Sequence, residues 1–447
     1  MNKNYDNKNN AKIVLGLINI ILYVLFFAVD LIVFYDHINY YANGYALFML
    51  IYTFFLIVFG RLFGMYELGD STVTDLVLSS TITFLFSDVI VYLILCLIAF
   101  SMLAIWPVLI LFVVETIIAT LLVFYENKFI RDSYPVEYAI AIVGENHYKI
   151  LDKINKYRDI TVDVKKKYDV ENIDFDNLDP ILENVERVIT VDIDHEQKKR
   201  VFKKCYEKGI RIFDVPSITD MLMASSSIIH LIDTPIVKIN KFGPSSFEMI
   251  AKRTIDIVGS LILIIITSPV MLGVAIAIKL NDHGDVFFKQ NRLTKDGKEF
   301  KILKFRSMVM NAEEKTGVVL AKQDDDRITS VGKFIRKTRF DELPQLLNIL
   351  KGDMSFVGPR PERPEIYNEI IKDMPEFSYR LVVKAGLTGY AQIYGKYNTA
   401  MRDKLLLDLY YIENYSLIDD IKLLLMTFKI VFVAESTEGV EDEETNK

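Results

Sequence analysis

Asp341 and Glu342 are adjacent acids in the stretch GKFIRKTRFDELPQLLNILKGDMSFVGPRPERP, where Arg336, Lys337 and Arg339 precede them. Carboxylates set among bases suit phosphoryl chemistry, because two acids can divide the work. One ligates Mg2+, a hard cation that accepts a few carboxylates alongside substrate phosphates. The other attacks phosphorus, as in aspartyl-phosphate chemistry. Either acid alone would more often be a helix cap or a surface residue. Further on, Gly358-Pro359-Arg360-Pro361 forms an extended turn stiffened by its prolines, from which Arg360 can fork onto phosphate oxygens.

These residues need elements to hold them. Pro344 is tolerated only in the first turn of a helix or at a kink, so the acids are expected at a helix beginning, where orphan N–H groups and the dipole favour phosphate. FFKQNRL (287–293) and FKILKFRSM (300–308) read as a strand pair joined by TKDGK, with Lys304 and Arg306 on the same side of one strand. Upstream, residues 254–278 are apolar except for Asp256, with Lys252, Arg253 and Lys279 at the flanks. That length would allow a membrane span. Crossing would, however, export Lys289, Arg292, Lys295, Lys298, Lys301, Lys304 and Arg306, against the positive-inside rule. Ser268-Pro269 offers an alternative, because proline removes one backbone donor and clashes with the preceding turn. A helix over about 252–279, broken there and returning to the same face, keeps both basic flanks on one side. Ser268 is then a candidate to satisfy the freed carbonyls. A plain fifth span is the competing reading. Residues 402–432 are amphipathic and expected to lie along the membrane. The acidic tail, 435–447, is expected to be disordered.

The chain has 447 residues, is 51% apolar and carries 52 basic against 59 acidic side chains, a net charge of −7 that gives no help to a nucleic-acid partner. Mean hydropathy is +0.24, and the apolar residues are too clustered for one soluble globule. Residues 11–35 and 38–60 read as two spans. Residues 76–125 are about twice the ~30 Å hydrocarbon core, so they are expected to form a hairpin turning near 101–107. This is a membrane protein with a four-helix N-terminal region, residues 1–131. Lys3, Lys8, Lys12, Arg61, Lys128 and Arg131 place the N-terminus and everything after Arg131 in the cytoplasm. No cleavable signal pattern is expected in the first apolar run. Asp30, Asp88 and Glu115 lie at membrane depth, as a proton or substrate path or as interhelical hydrogen-bond partners. The absence of any intramembrane Lys or Arg beside them favours the second. Cys96 and Cys205 are the only cysteines, which excludes a disulfide framework or a cysteine zinc site.

Residues 132–244 read as a degenerate Rossmann-like cytoplasmic domain. AIAIVG, VERVITV and IRIFDV are strands, with HYKILDKINKY and EQKKRVFKKCYEKG as helices between them. Gly144 stands alone where a dinucleotide domain needs several glycines, so no bound nucleotide is expected. The acids between 159 and 186 read as a solvated face. His147, His195 and His283 stand outside any acid–base constellation and read as surface or packing residues.

DELPQL, the following Asn and Leu, KGDMS and VGPRP, with KFRSM before and GLTGYAQ after, resemble the bacterial sugar transferase family. The resemblance covers about 247–432. It implies an α+β monotopic phosphoglycosyl transferase domain at 245–434 with a re-entrant membrane helix. The long, helix-preceded form resembles enzymes that transfer hexose-1-phosphate to undecaprenyl phosphate, initiating exopolysaccharide, capsule or O-antigen synthesis in the bacterial inner membrane. By that resemblance Asp341 is the nucleophile toward a UDP-hexose, releasing UMP, and Glu342 is the Mg2+ ligand. Lys304, Arg306, Arg336 and Arg360, with Pro359 and Pro361 around it, match phosphate-binding positions, and a homo-oligomer is possible within the family. Two departures stand out: Arg339-Phe340 where Ser-Leu is usual, and Lys384-Ala385-Gly386 where KPG is usual. A nucleotide-sugar dehydratase or epimerase would need GxGxxG and a Tyr-x-x-x-Lys pair, and neither occurs. A non-catalytic scaffold or regulator of polysaccharide assembly is the alternative; loss of the acid pair or of GPRP would favour it, and both are intact.

Overall fold

The computed structural model describes residues 3–35, 44–134, 137–144, 162–239, 243–309, 327–395 and 399–431. The helix read at 147–157, with His147, and the tail at 435–447 lie outside them. The chain divides into two compact units, Met1–Val215 and Pro216–Lys447.

The first unit opens with four long helices, α1 (Lys3–Tyr35), α2 (Gly44–Phe63), α3 (Val73–Ala99) and α4 (Trp106–Ser133). All four are long and apolar enough to cross a membrane. Their outward faces expose Ile21, Leu50, Leu97 and Ile117, while Tyr23, Phe27, Tyr52, Leu56 and Phe84 form the shared core. Phe100, in the left-handed region at φ 48°, ends α3 and starts the expected turn. Glu115 is buried and accepts a hydrogen bond from the Tyr52 hydroxyl at 2.7 Å, tying α4 to α2. Asp30 and Asp88 are also buried, and neither oxygen of Asp88 has a partner among the described residues.

A four-stranded parallel sheet follows, in the order β2-β1-β3-β4: β1 (Glu137–Val143), β2 (Val162–Asp169), β3 (Arg187–Val191) and β4 (Arg211–Val215). Ala139 to Val143 are buried on both faces, which explains their uninterrupted apolar run. Helix α5 (His195–Lys208) covers one face with Val201 and Cys205. Strand β2, VDVKKKYD, is an edge strand whose lysines hid it among the charged residues. A Cβ on Gly144 would sit 1.9 Å from the Asp192 carbonyl oxygen, so packing of the chain itself demands this glycine.

The second unit begins earlier than the expected boundary at 244. Helix α6 (Ile218–Leu222) places Ile218, Met221 and Leu222 against Leu405 and Leu409, because that short apolar face has its partners there. An exposed hairpin follows, β5 (Ser227–Leu231) and β6 (Thr234–Lys238).

Helix α7 (Ser246–Asp282) starts with a capping box in which Ser245 and Glu248 satisfy each other's backbone amides. Its first turns carry polar ties into the unit. Lys252 pairs with Asp420 at 2.6 Å, and Arg253 donates to the carbonyls of Ile349 and Leu350. Asp256 accepts from the Ser355 hydroxyl and the Phe356 amide, both at 3.0 Å. Beyond them the helix exposes Leu261, Ile262, Ile265, Ile266 and Leu272. It then buries Val274 and Ile278 against Phe305 and Ile335. The expected break at Ser268-Pro269 does not divide it: α7 is continuous, with Pro269 inside. Proline leaves the Ile265 carbonyl without an amide donor, and the Ser268 hydroxyl donates to that oxygen at 2.8 Å.

Strands β7 (Phe287–Leu293) and β8 (Glu299–Phe305) pair antiparallel as read from the sequence, around Asp296 at φ 59°. Asn348, on α9 (Gln345–Lys351), serves the other edge of β8. Its side chain accepts from the Leu303 amide and donates to the Lys301 carbonyl. Strands β9 (Ser355–Val357) and β10 (Gly386–Thr388) pair in parallel and lock the turn after β9. After α10 (Pro364–Asp373), the expectation that residues 402–432 lie along the membrane does not describe α11 (Met401–Glu413). Leu405, Leu409 and Ile412 are core residues there, and buried Asp408 is ion-paired within the unit. Helix α12 (Leu417–Val431) contributes Leu423 to the core and Asp420 to the Lys252 pair.

Asp256 is the tie most exposed to a single change. Replacing it with Ala orphans the buried Phe356 amide, at a cost of roughly 1–3 kcal/mol. Thermal unfolding in detergent is expected to show a clear loss for Asp256→Ala; an unchanged midpoint would refute the anchoring role.

Candidate active site

Strand β8 delivers Lys304 one residue from its end, and a short helix, α8 (Ser330–Lys337), leads into the acids. Arg339 takes the left-handed conformation at φ 59°, a strained turn for a residue with a side chain, and throws the chain into a 3-10 turn at Phe340–Glu342. Phe340 fills the space beneath against the core of Phe305 and Ile335 and stands edge-on to Phe334. The departure Arg339-Phe340 thus supplies the bend and its packing. The acids lie on this 3-10 turn just ahead of α9, at a helix beginning as expected, with Pro344 at the N-cap position of α9.

The turn brings four of the expected residues together. Lys304 Nζ is 2.7 Å from Glu342 Oε1 and 3.9 Å from Asp341 Oδ2. Arg360 Nη2 is 3.9 Å from the same Glu342 oxygen, while nearly half of the Arg360 side chain (49%) remains open to a ligand. Burial pushes the Glu342 carboxyl up, but Lys304 and Arg360 outweigh it and hold the group at about 2. Asp341 is raised above the ordinary 3.8: burial dominates, Lys304 opposes it from a longer distance, and the neighbouring Glu342 charge adds to it. Glu342 therefore takes most of the benefit of the shared ammonium. Arg336, on α8, and Arg339 favour the ionised form of Asp341 through their charge.

Arg306 stands one residue past β8, where its amide donates to the Val286 carbonyl at 2.9 Å. Pro359 and Pro361 are buried and frame Arg360. The Gly358 amide donates to Thr388 O and the Gly386 amide to Pro359 O, so β10 holds this turn. A Cβ on Gly358 would lie 2.3 Å from the Lys384 carbonyl oxygen. At the KPG departure, the Ala385 amide donates to Thr294 Oγ1 at 3.2 Å, a bond proline could not make. Ser268 and Pro269 belong to the exposed middle of α7 rather than to this cluster. His283 caps α7 with its ring on the Lys279 carbonyl, and His195 opens α5, in keeping with non-catalytic roles.

Sequence reasoning passed over Arg380, Asp408 and Asn348, and it read Arg292 only as part of the basic flank. Arg380 and Asp408 are buried and paired at 2.7 Å. The sequence signal for Asp408 was a lone acid inside the apolar run LLLDLYY. Among the described residues no group of three or more His, Cys, Asp or Glu could hold a metal ion. The two adjacent hard carboxylates do fit Mg2+, which binds through one or two carboxylates and completes its shell with substrate phosphates and water.

A long apolar helix is rooted in the same α+β unit as a buried carboxylate pair that shares one ammonium and stands beside a half-exposed arginine, an arrangement suited to binding phosphate. Residues 247–434 match the bacterial sugar transferase family. It is 38% identical over 236 residues to a UDP-N-acetylgalactosamine-undecaprenyl-phosphate N-acetylgalactosaminephosphotransferase of Aeromonas hydrophila, covering 52% of this chain and 55% of that protein. It is 39% identical over 242 residues to the UDP-glucose:undecaprenyl-phosphate glucose-1-phosphate transferase of Escherichia coli K12, covering 52% and 51%. It is 40% identical over 194 residues to the undecaprenyl-phosphate galactose phosphotransferase of Salmonella typhimurium, 40% of each. The chain thus aligns with about half the length, or less, of these relatives.

The unequal sharing of Lys304 predicts opposite stability effects at neutral pH. A raised carboxyl costs the fold once it ionises, so stability tied to Asp341 is lost as pH rises from 3.8 through its folded value. A depressed carboxyl stabilises above its unfolded value, so the Glu342 contribution is lost as pH falls from 4.5 toward about 2. At pH 7 Asp341→Asn is expected to raise the melting temperature and Glu342→Gln to lower it, by about 2–4 °C per kcal/mol. Melting curves showing the reverse order would refute this division of charge.

Proposed function

We propose that the protein transfers hexose-1-phosphate from a UDP-sugar to undecaprenyl phosphate, releasing UMP, through a covalent phosphosugar on Asp341. The observation that carries this reading is the cluster itself: a buried carboxylate, Asp341, beside a carboxylate held ionised by Lys304 and an open Arg360. The names of the relatives support the acceptor and a sugar-nucleotide donor, and they name three different sugars.

An oxygen of ionised Asp341 attacks the β-phosphorus of the donor. The bond from that phosphorus to the bridging oxygen breaks, and UMP leaves with the electron pair. A phosphate oxygen of the lipid then attacks the same phosphorus, expelling the Asp341 carboxylate and forming the polyprenyl-diphosphate sugar. Such transfers depend mainly on positioning and on neutralising charge. Arg360 and Lys304 bind and orient the donor phosphates, and Arg336 favours the ionised nucleophile. Glu342 would hold Mg2+, whose chemistry when bound is to offset the charge of the diphosphate.

In the same reading α7, helical throughout but bent at Pro269, dips into the bilayer and returns as a re-entrant element. Burial of both Asp256 and Ile278 in one unit supports this, since those residues are about 33 Å apart along a straight helix, a full membrane thickness. The four N-terminal helices span the bacterial inner membrane and the active site faces the cytoplasm, a reading that the basic flanks support. The parallel sheet is a Rossmann-like domain without a nucleotide, supported by the packing role of its single turn glycine, Gly144.

The test is UMP release from membranes given Mg2+, undecaprenyl phosphate and a panel of UDP-sugars. At least one donor is expected to support turnover, which Asp341→Asn reduces by about a thousandfold or more and a chelator stops. No turnover with any donor, or full turnover in Asp341→Asn, would overturn the proposal. Because Asp341 must be ionised to attack, activity should fall on the acid side through a value above 3.8. An acid limb at or below that value would contradict the burial of the nucleophile.

A further inference from the structure

Arg360 belongs to a turn whose three consecutive carbonyls are all caught from behind. Arg380 Nη2 donates to Arg360 O at 3.0 Å, Arg292 Nη1 donates to Pro361 O at 2.9 Å, and the Leu293 amide donates to Glu362 O at 3.0 Å. Two of the three donors are guanidinium groups. Arg380 is 4% exposed, lies over the ring of Phe377 at 4.6 Å, and pairs with Asp408 Oδ2 at 2.7 Å and Glu362 Oε1 at 3.5 Å. One planar fork of five donors thus reaches the backbone before Pro361, the side chain after it, and an acid on α11. Asp408 is itself 1% exposed. A buried ion pair is weak evidence for stability alone, because desolvation offsets its attraction. Its placement against the carbonyl of a residue that meets the ligand gives it another use.

We propose that Arg380, oriented by Asp408 and assisted by Arg292, is a positioning residue that clasps the 360–362 turn and aims the Arg360 guanidinium at the diphosphate of the donor beside Glu342. This rests on the phosphoglycosyl transfer reading. The clasp holds the carbonyls of the turn, and the Arg360 side chain reaches to within 3.9 Å of Glu342. Arg380 touches no substrate; it sets how often Arg360 stands ready. Loss of the clasp therefore weakens donor binding and leaves acceptor binding unchanged.

Removing Arg380 alone strands the buried Asp408 charge and risks unfolding. The test uses Arg380→Met with Asp408→Leu, which replaces the pair by apolar side chains, and in parallel Arg380→Lys, which keeps the charge but loses the fork. Hydrogen exchange at the Leu293 amide, which donates to Glu362 O, is expected to accelerate, and KM for the UDP-sugar to rise about tenfold, as for loss of one charge-assisted hydrogen bond. KM for undecaprenyl phosphate should hold steady. Adding Arg360→Gln should cause no further loss, whereas independent structural damage would add. Unchanged exchange in a folded variant, an equal rise in both KM values, or full additivity with Arg360→Gln would overturn the clasp. Absence of UMP release by the unmodified protein would instead sink the transfer reading, with exchange still reporting on the clasp.

Discussion

One ammonium group serves two carboxylates, and its unequal distances decide what each can do. Lys304 is in hydrogen-bond contact with Glu342 and stands off from Asp341. Glu342 is thereby fixed as an anion. Asp341 is buried with less compensation, so its charge is poorly satisfied, and its nearest cation among the described residues, Lys304, stands off at 3.9 Å. A poorly compensated carboxylate is a better nucleophile than one in a short ion pair, and the proposed chemistry needs that asymmetry.

The asymmetry is geometric, so it depends on two elements meeting at fixed depth. Strand β8 is held on one edge by β7 and on the other by the Asn348 side chain, which belongs to the helix that follows the acids. The left-handed Arg339 and the packed Phe340 set the approach from the other side. The same helix has its C-terminal carbonyls capped by Arg253 at the root of α7. The membrane-directed helix and the acid turn are therefore two ends of one hydrogen-bonded framework.

Much of this was legible in the sequence where local physics decides. The four long helices follow from long apolar runs broken only by a few acids, the β7–β8 hairpin from alternation around TKDGK, and the buried β1 from AIAIV. The clustering of Lys304, Asp341, Glu342 and Arg360 was readable because their types suit one chemistry. What escaped was set by tertiary contact. Strand β2 exists because β1 offers an edge, whatever its lysines suggest. Helix α6 joins the second unit because Leu405 and Leu409 receive it. Pro269 stays within a helix because the Ser268 hydroxyl bonds the carbonyl that proline leaves free. Arg380 and Asp408 lie 28 residues apart in sequence with strand β10 between them, and no local pattern announces their pairing.

The central claim is that Asp341 carries the phosphosugar between donor and acceptor. The most direct measurement omits the lipid acceptor, supplies the UDP-sugar that supports turnover, quenches in acid and maps the protein by mass spectrometry. The account predicts one hexose phosphate on the peptide containing Asp341, discharged when undecaprenyl phosphate is added before the quench. A competent enzyme that shows no adduct, or one attached to another residue, would contradict it.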